Sequence, residues 1–309
     1  MKKFFKTLLS LMLIAAMLLG GGAIGEADMW NMAAPEDEAN PDAEIKLLGG
    51  WWHILLLGVD SYTKGQNRTR TDSMIMLSLN LETCEAKLTS FMRDTWVKVP
   101  GTKDTYRKLT ELCAVGGPEL TMRGINENFS TRLEDYALVS MAGMADIIDI
   151  LGDIELDVTE AERKALNKGL FDLSSRSGME KLEESGEKVH LNGNQATAFA
   201  RIRKIDSDYV RTERQRTVLI TLAQKILDGA SAATLISIAQ TLLDYVETNL
   251  SFADIMSIAY MGMKMDVNSI EQLRIPADGT FNSGTYDGIW CIKPNFTKNK
   301  EIMKKFIYG

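Results

Sequence analysis

The chain has 309 residues, a formal net charge of −7, three cysteines and two histidines. Three cysteines are too few for a disulfide framework, no Cys/His spacing resembles a zinc site, and two histidines leave Ser–His or Cys–His chemistry poorly supplied. The acidic balance, with no helix-turn-helix bearing a basic face, argues against nucleic acid as a partner.

Lys2, Lys3 and Lys6 precede Leu8–Gly25, an uncharged and almost wholly apolar run. Such a run is a secretory signal or a single membrane helix, and it is near the shortest length able to cross a hydrocarbon core. With the lysines held inside, everything after Gly25 is expected outside the cytoplasm, tethered to the cell membrane if the segment is kept. Residues 26–49 are acidic, carry Pro35 and Pro41 and lack apolar periodicity, so they read as a flexible linker. Residues 50–309 remain for a folded extracellular part.

Trp51–Val59 (WWHILLLGV) is a continuous apolar run of strand length, as expected of a strand covered on both faces. His53 stands just before its fully apolar part and reads as a structural or surface residue. Asp60 emerges at the strand's C-terminal end, where open α/β sheets place ligands. A polar loop containing Arg68 and Arg70 leads to Asp72-Ser73 and a second strand, Met74–Asn80. Two carboxylates at the lips of one loop can converge on a hard cation such as Mg²⁺; taken singly, they would be turn and cap residues. A hairpin turn at Glu82–Glu85 and a return strand, Lys87–Phe91, lead to the charged pair Arg93-Asp94. Lys108 follows, then Gly116-Gly117-Pro118, which closes one helical segment and opens another. Tyr136–Ser140 and Ile154–Val158 read as strands and Met141–Leu151 as a helix ended by Gly152. Thr159–Lys168 reads as a helix with a Thr159/Glu162 capping box, and Phe171–Val189 as loop.

Asn192–Ala200 has helical spacing and delivers the stretch ARIRKIDSDYVRTERQR at 200–216. In extended backbone Arg201 and Arg203 point to one side; on a helix Arg211 and Gln215 share a face with Arg214 beside them. Converging guanidinium forks suit phosphate or pyrophosphate. The interleaved Asp206, Asp208 and Glu213 would equally make a solvated, salt-bridged helix start. Arg211–Asp228, Ala230–Tyr245 and Ser251–Met263 read as helices, whose methionines are core filler or the wall of a lipid-holding groove. Leu273–Pro276 and Ile289–Ile292 read as strands and Lys298–Tyr308 as a closing helix. The alternation gives an α/β fold with a mixed sheet.

The ordered set Leu55–Asp60 (LLLGVD), Arg70–Ser73 (RTDS), Arg93-Asp94, Lys108 with Gly116-Gly117-Pro118, Asn192–Arg203 and Asp208–Arg216 (DYVRTERQR) resembles the LytR–CpsA–Psr (LCP) family of cell-wall ligases. The resemblance covers residues 50–309. It implies a mixed central sheet covered by helices in α-β-α layers, with an apolar lipid tunnel and a preceding N-terminal membrane helix. It further implies that Asp60 and Asp72 hold Mg²⁺. Arg70, Arg93, Lys108, Arg201, Arg203, Arg211 and Gln215 would surround the pyrophosphate of a polyprenyl-linked glycopolymer, with Asp208 orienting the arginines. The implied activity is transfer of the glycopolymer, through its phosphate, to a peptidoglycan hydroxyl (the MurNAc C6-OH), with Arg93, Arg201 and Arg203 stabilising charge. Asp94, beside Arg93, is the candidate base. Phe91-Met92, Thr110 and Val210 depart from the family's usual residues, and none of these removes a charged group.

Phosphoryl transfer needs positioning and charge neutralisation more than a special nucleophile, so a missing Ser–His pair is no objection. A Mg²⁺-dependent polyprenyl pyrophosphate phosphatase would use the same residues with water as acceptor. A non-catalytic regulator of the cell envelope is the third reading.

Overall fold

The computed structural model describes residues 50–59, 69–170, 180–203, 208–227, 245–251, 269–286 and 288–309, with single positions at 205, 253, 254, 257, 258, 261 and 265. The expected membrane segment and linker, Asp60 and the expected loop after it, the expected Ala230–Tyr245 helix except Tyr245 and most of the expected Ser251–Met263 helix lie outside the described residues. Among those described, no helix is long and apolar enough to cross a membrane.

In chain order the first strands are β1 (Trp51–Val59), β2 (Thr71–Asn80), β3 (Glu85–Phe91), β4 (Trp96–Lys98), β5 (Tyr106–Lys108) and β6 (Asp135–Ser140). They are followed by β7 (Ile154–Val158), β8 (Gly186–Leu191), β9 (Val246–Thr248), β10 (Glu271–Ile275), β11 (Phe281–Tyr286) and β12 (Ile289–Pro294). The helices are α1 (Leu112–Phe129), α2 (Met141–Ile150), α3 (Glu160–Leu170), α4 (Gly193–Ala200), α5 (Asp208–Leu227) and α6 (Phe296–Tyr308). Six strands form one sheet in the order β10-β3-β2-β1-β6-β9. β1 pairs with β2 antiparallel and with β6 parallel, so the sheet is mixed as expected.

The apolar run of β1 feeds two cores. Trp52, Ile54 and Leu56 point into one, with residues of α2, α3, α4 and α5; Trp51, Leu55, Leu57 and Val59 point into the other, with α1 and α6. That alternation is the period of a pleated strand with both faces covered, and it produces the α-β-α layering. His53 is inside β1 rather than in front of it. It is buried, with Nδ1 2.9 Å from the Ser78 hydroxyl on β2 and Nε2 3.1 Å from the Tyr308 hydroxyl on α6. Gly116 and Gly117 break α1 into two segments, and Gly117 has φ +74, a conformation that glycine adopts without strain. Pro118 then starts the second segment, as the sequence implies.

Several elements differ from the sequence reading, which does not read the short strands β4, β5 and β9. Residues 186–189, read as loop, belong to β8, which pairs antiparallel with β7. Phe281–Tyr286, unread, pairs with β12 as a ribbon. The β4–β5 and β11–β12 ribbons lie against each other through a Thr95–Ile292 bridge.

Candidate active site

The centre of the site is made by an irregularity in β2. Gly58 pairs with Ser73 and Val59 with Thr71, which leaves Asp72 as an extra residue opposite the end of β1. A bulge of this kind re-aims a side chain at the rim of a sheet. Asp72 is therefore part of β2 rather than the approach to it, and it is only 4% exposed. A buried carboxylate needs cationic partners. Asp72 takes them from two elements far apart in sequence. Arg93, in the turn after β3, donates from Nη1 to Oδ1, and Arg203, just past α4, donates from Nη2 to Oδ2 at 2.9 Å.

The charges continue away from Asp72. Arg93 Nε lies 3.4 Å from Asp94 Oδ2, and Lys108 Nζ lies 2.8 Å from Asp94 Oδ1. The turn itself is fixed by backbone. Thr110 N donates to the Arg93 carbonyl at 3.0 Å and its hydroxyl donates to the Thr71 carbonyl at 2.6 Å. Thr110, a departure from the family's usual residue, thus ties the Arg93 turn to the Asp72 bulge.

The arginine-rich stretch divides its work. Gln215, buried on α5, donates to the backbone carbonyl of Asp72 at 3.3 Å, and Arg211 one turn earlier is fully buried. Arg214 faces elsewhere. It donates from Nε to Glu162 of α3 at 2.8 Å and from Nη1 to the Ile202 carbonyl, fastening α5 to its neighbours. Burial pushes the Glu162 carboxyl up, but hydrogen bonds from Arg214 and Thr159 outweigh it and hold the pKa below its ordinary value. Arg216 bonds to Gln272 and to the Ser90 hydroxyl across two strands, and its burial lowers its pKa. The remaining expected residues are less central. Arg201 caps α4 at φ −101 and ψ −2, so it and Arg203 do not share an extended backbone. Arg70 is 69% exposed and pairs with Glu111 at 3.7 Å. Asp208 opens α5, and its side chain is outside the described positions.

Next to Asp72 an apolar pocket of about 100 Å³ opens between the sheet and α2, α4 and α5. Leu56, Ile75, Ala137, Met144, Val218 and Leu219 are among its walls, and Ser73 and Gln215 give it polar groups adjoining Asp72. An apolar slot whose polar end adjoins Asp72 and its arginines suits an amphiphile with an anionic head.

The donor set can be weighed against the expected Mg²⁺. A carboxylate offers about four lone-pair positions, and each Asp72 oxygen accepts one of the two guanidinium contacts described above. Asp72 can therefore still ligate a hard cation. Asp60, its expected partner, follows Val59 directly and lies outside the described residues. Among the described residues no group of three or more His, Cys, Asp or Glu could hold a metal. This chemistry fits a cation with few protein ligands that takes the rest from phosphate and water.

Three known proteins can be set beside this site. Polyisoprenyl-teichoic acid–peptidoglycan teichoic acid transferase TagV of Bacillus subtilis (strain 168) is 29% identical over 259 residues, covering 81% of this chain. The match spans 62% of that relative's length. The crystal structure of B. subtilis TagV superposes with a TM-score of 0.67 at 23% identity, covering 84% of this chain and 98% of the other. TagU of Bacillus mycoides (strain KBAB4), a transferase of the same description, is 32% identical over 242 residues, 77% of this chain and 71% of the relative. The structure of TagT bound to LIIa-WTA gives a TM-score of 0.64 at 23% identity, covering 84% and 89% of the two chains. The structural likenesses establish the shared fold. The LytR_cpsA_psr family model matches residues 26–306, and the chain belongs to that family.

Proposed function

We propose that the protein transfers a glycopolymer from a polyprenyl pyrophosphate (or phosphate) carrier to peptidoglycan, at the MurNAc C6-OH, forming a phosphodiester. The observation that carries this reading is Asp72, which gathers Arg93 and Arg203 beside an apolar pocket. The lipid tail enters the pocket and its pyrophosphate meets the guanidiniums. Arg203 is 40% exposed, so its fork is reachable from solvent. The transferase names of the relatives support the same reaction class.

The acceptor hydroxyl oxygen attacks the phosphorus bearing the glycan. A new P–O bond forms as the bond to polyprenyl phosphate breaks, and the bridging oxygen leaves with the electron pair. The hydroxyl proton passes to a base, for which Asp94 is the candidate. Arg93 and Arg203 act where charge develops, and Arg201, Arg211, Lys108 and Arg70 add positive field around them. Asp60 and Asp72 would hold Mg²⁺, which supplies positive charge to the phosphates when bound. The Lys-flanked run Leu8–Gly25 supports a membrane tether with the catalytic part outside the cell.

The test supplies the full chain in detergent with lipid-linked glycopolymer, with and without peptidoglycan oligosaccharide, and follows products by mass spectrometry. A phosphodiester-linked product that appears only with acceptor is expected. Release of glycopolymer phosphate at the same rate without acceptor would make the protein a phosphatase, and no turnover of either kind would favour a regulator.

A further inference from the structure

The charged row leads from Asp72 through Arg93, Asp94 and Lys108 to an aromatic ring that the reaction described above does not use. Trp290 on β12 is 51% exposed, with Lys108 Nζ 5.8 Å from its ring centroid. Its strand is fastened to the site by backbone, since Ile292 N donates to the Asp94 carbonyl at 2.9 Å. Tyr106, 45% exposed, stands two positions before Lys108 on β5 and so projects from the same side of that strand. Its ring stacks at 6.5 Å on Trp96. A half-exposed indole on a paired ribbon, with charged and hydrogen-bonding groups beside it, is a surface suited to the C–H face of a pyranose ring.

The position of Trp290 indicates which sugar it meets. The apolar pocket lies on the sheet face covered by α2, α4 and α5, whereas the β4–β5 ribbon packs on the opposite face, in the core shared with α1 and α6. In phosphoryl transfer the attacking and leaving oxygens are roughly in line through phosphorus. Resting on the transfer reading above, the leaving oxygen belongs to the lipid phosphate on the pocket side. The attacking hydroxyl must then arrive from the far side, where Asp94, Lys108 and Trp290 lie.

We infer that Trp290 is the stacking platform for the acceptor sugar, positioning its hydroxyl toward Asp94 and the phosphorus. It is a binding and positioning residue rather than a group that takes part in bond making.

The experiment uses the full chain in detergent with Trp290→Ala and Trp290→Phe. A soluble peptidoglycan oligosaccharide is titrated calorimetrically without donor, and its KM and kcat are measured with saturating donor. Trp290→Ala is expected to weaken oligosaccharide binding and raise the acceptor KM by about tenfold, the scale of one good contact. It should leave co-purifying lipid and the thermal midpoint unchanged, while Trp290→Phe, which keeps a flat ring, recovers most of the loss. Unchanged acceptor binding and KM in Trp290→Ala, no binding to the wild type, or loss of lipid in place of acceptor binding would overturn the inference. If the wild type binds the oligosaccharide through Trp290 yet transfers nothing, the sugar platform stands and the transferase reading fails.

Discussion

Asp72 holds two arginines that are far apart in sequence, Arg93 after β3 and Arg203 after α4, so its replacement separates charge from shape. The Arg203 contact is 40% exposed and contributes about 0–1 kcal/mol in water, whereas the Arg93 contact is more sheltered and falls nearer 1.5–3 kcal/mol. Asp72→Asn preserves the volume but leaves two guanidiniums facing each other. It is expected to cost about 1–3 kcal/mol, seen as a lower midpoint in thermal melts, and to reduce transfer by about 10²–10³-fold. The test measures melts and turnover on the same preparations; an active Asp72→Asn protein, or a wild type indifferent to excess EDTA, removes Asp72 and Mg²⁺ from the proposed chemistry. At this scale the sequence was legible where residue type alone carries the meaning. Clustered arginines read as partners for a carboxylate or phosphate, and Arg93 and Arg203 do meet on Asp72. The division of labour was not legible, because Arg214 and Gln215 are adjacent in sequence and only the packed position of α5 sends one to Glu162 and the other to Asp72.

Elements carry those residues, and two junctions show how. At the start of α4, Asn192 accepts from Gln195 N at 2.9 Å and Gln195 returns a bond to Asn192 N at 3.0 Å, a capping box that fixes the helix delivering Arg201 and Arg203. Gly193 follows, and a Cβ there would sit 1.9 Å from the Ala145 carbonyl oxygen of α2. Gly193→Ala must push α4 from α2, at about 1–3 kcal/mol, and should lower transfer more than lipid binding; wild-type stability and turnover would show that the two helices yield freely. His53 joins β1, β2 and α6, and burial lowers its pKa from 6.5 to about 4. The folded state therefore binds fewer protons than the unfolded chain between those values, and stability falls as pH drops from about 6.5 to 4 and levels off below. The loss is on the order of 3 kcal/mol. His53→Gln, which cannot titrate, should flatten the difference between denaturant midpoints at pH 7 and pH 4.5, and an unchanged difference would refute the assignment. Long apolar strands and capped helices were readable from pattern. β8, β9 and β11 were not: β8 (GEKVHL) buries only Val189 and Leu191, β9 has three residues, and β11 (FNSGTY) is polar with a central glycine, so each exists through its partner strand more than through its own periodicity.

At the scale of the whole molecule, the proposed reading sets the lipid on one face of the sheet and the acceptor on the other, which allows grip on the tail to be tested separately from grip on the head. A tail entering an apolar slot gains on the order of 0.8 kcal/mol per buried CH₂-sized group, so tens of carbons outweigh any one arginine contact even after ordering costs. The pocket, at about 100 Å³, is small beside ligand sites of about 300–1,000 Å³, so a long tail requires its apolar walls to part. Leu219 is a suitable probe of this, since it lines the pocket on α5 and is only partly buried in the core, leaving the fold tolerant of change there. Leu219→Trp is expected to lower co-purifying polyprenyl lipid severalfold first, with turnover recovering as lipid is resupplied. Arg203→Ala should do the reverse: the lipid stays, because the tail dominates binding, and single-turnover transfer falls about 10²-fold or more, because that arginine stabilises phosphate charge in the transition state. Both quantities are read on the same preparations, lipid by mass spectrometry and transfer in a single turnover. If Arg203→Ala emerges empty of lipid yet turns over normally once it is resupplied, the arginine serves capture, and the separation of tail from headgroup across the sheet is wrong.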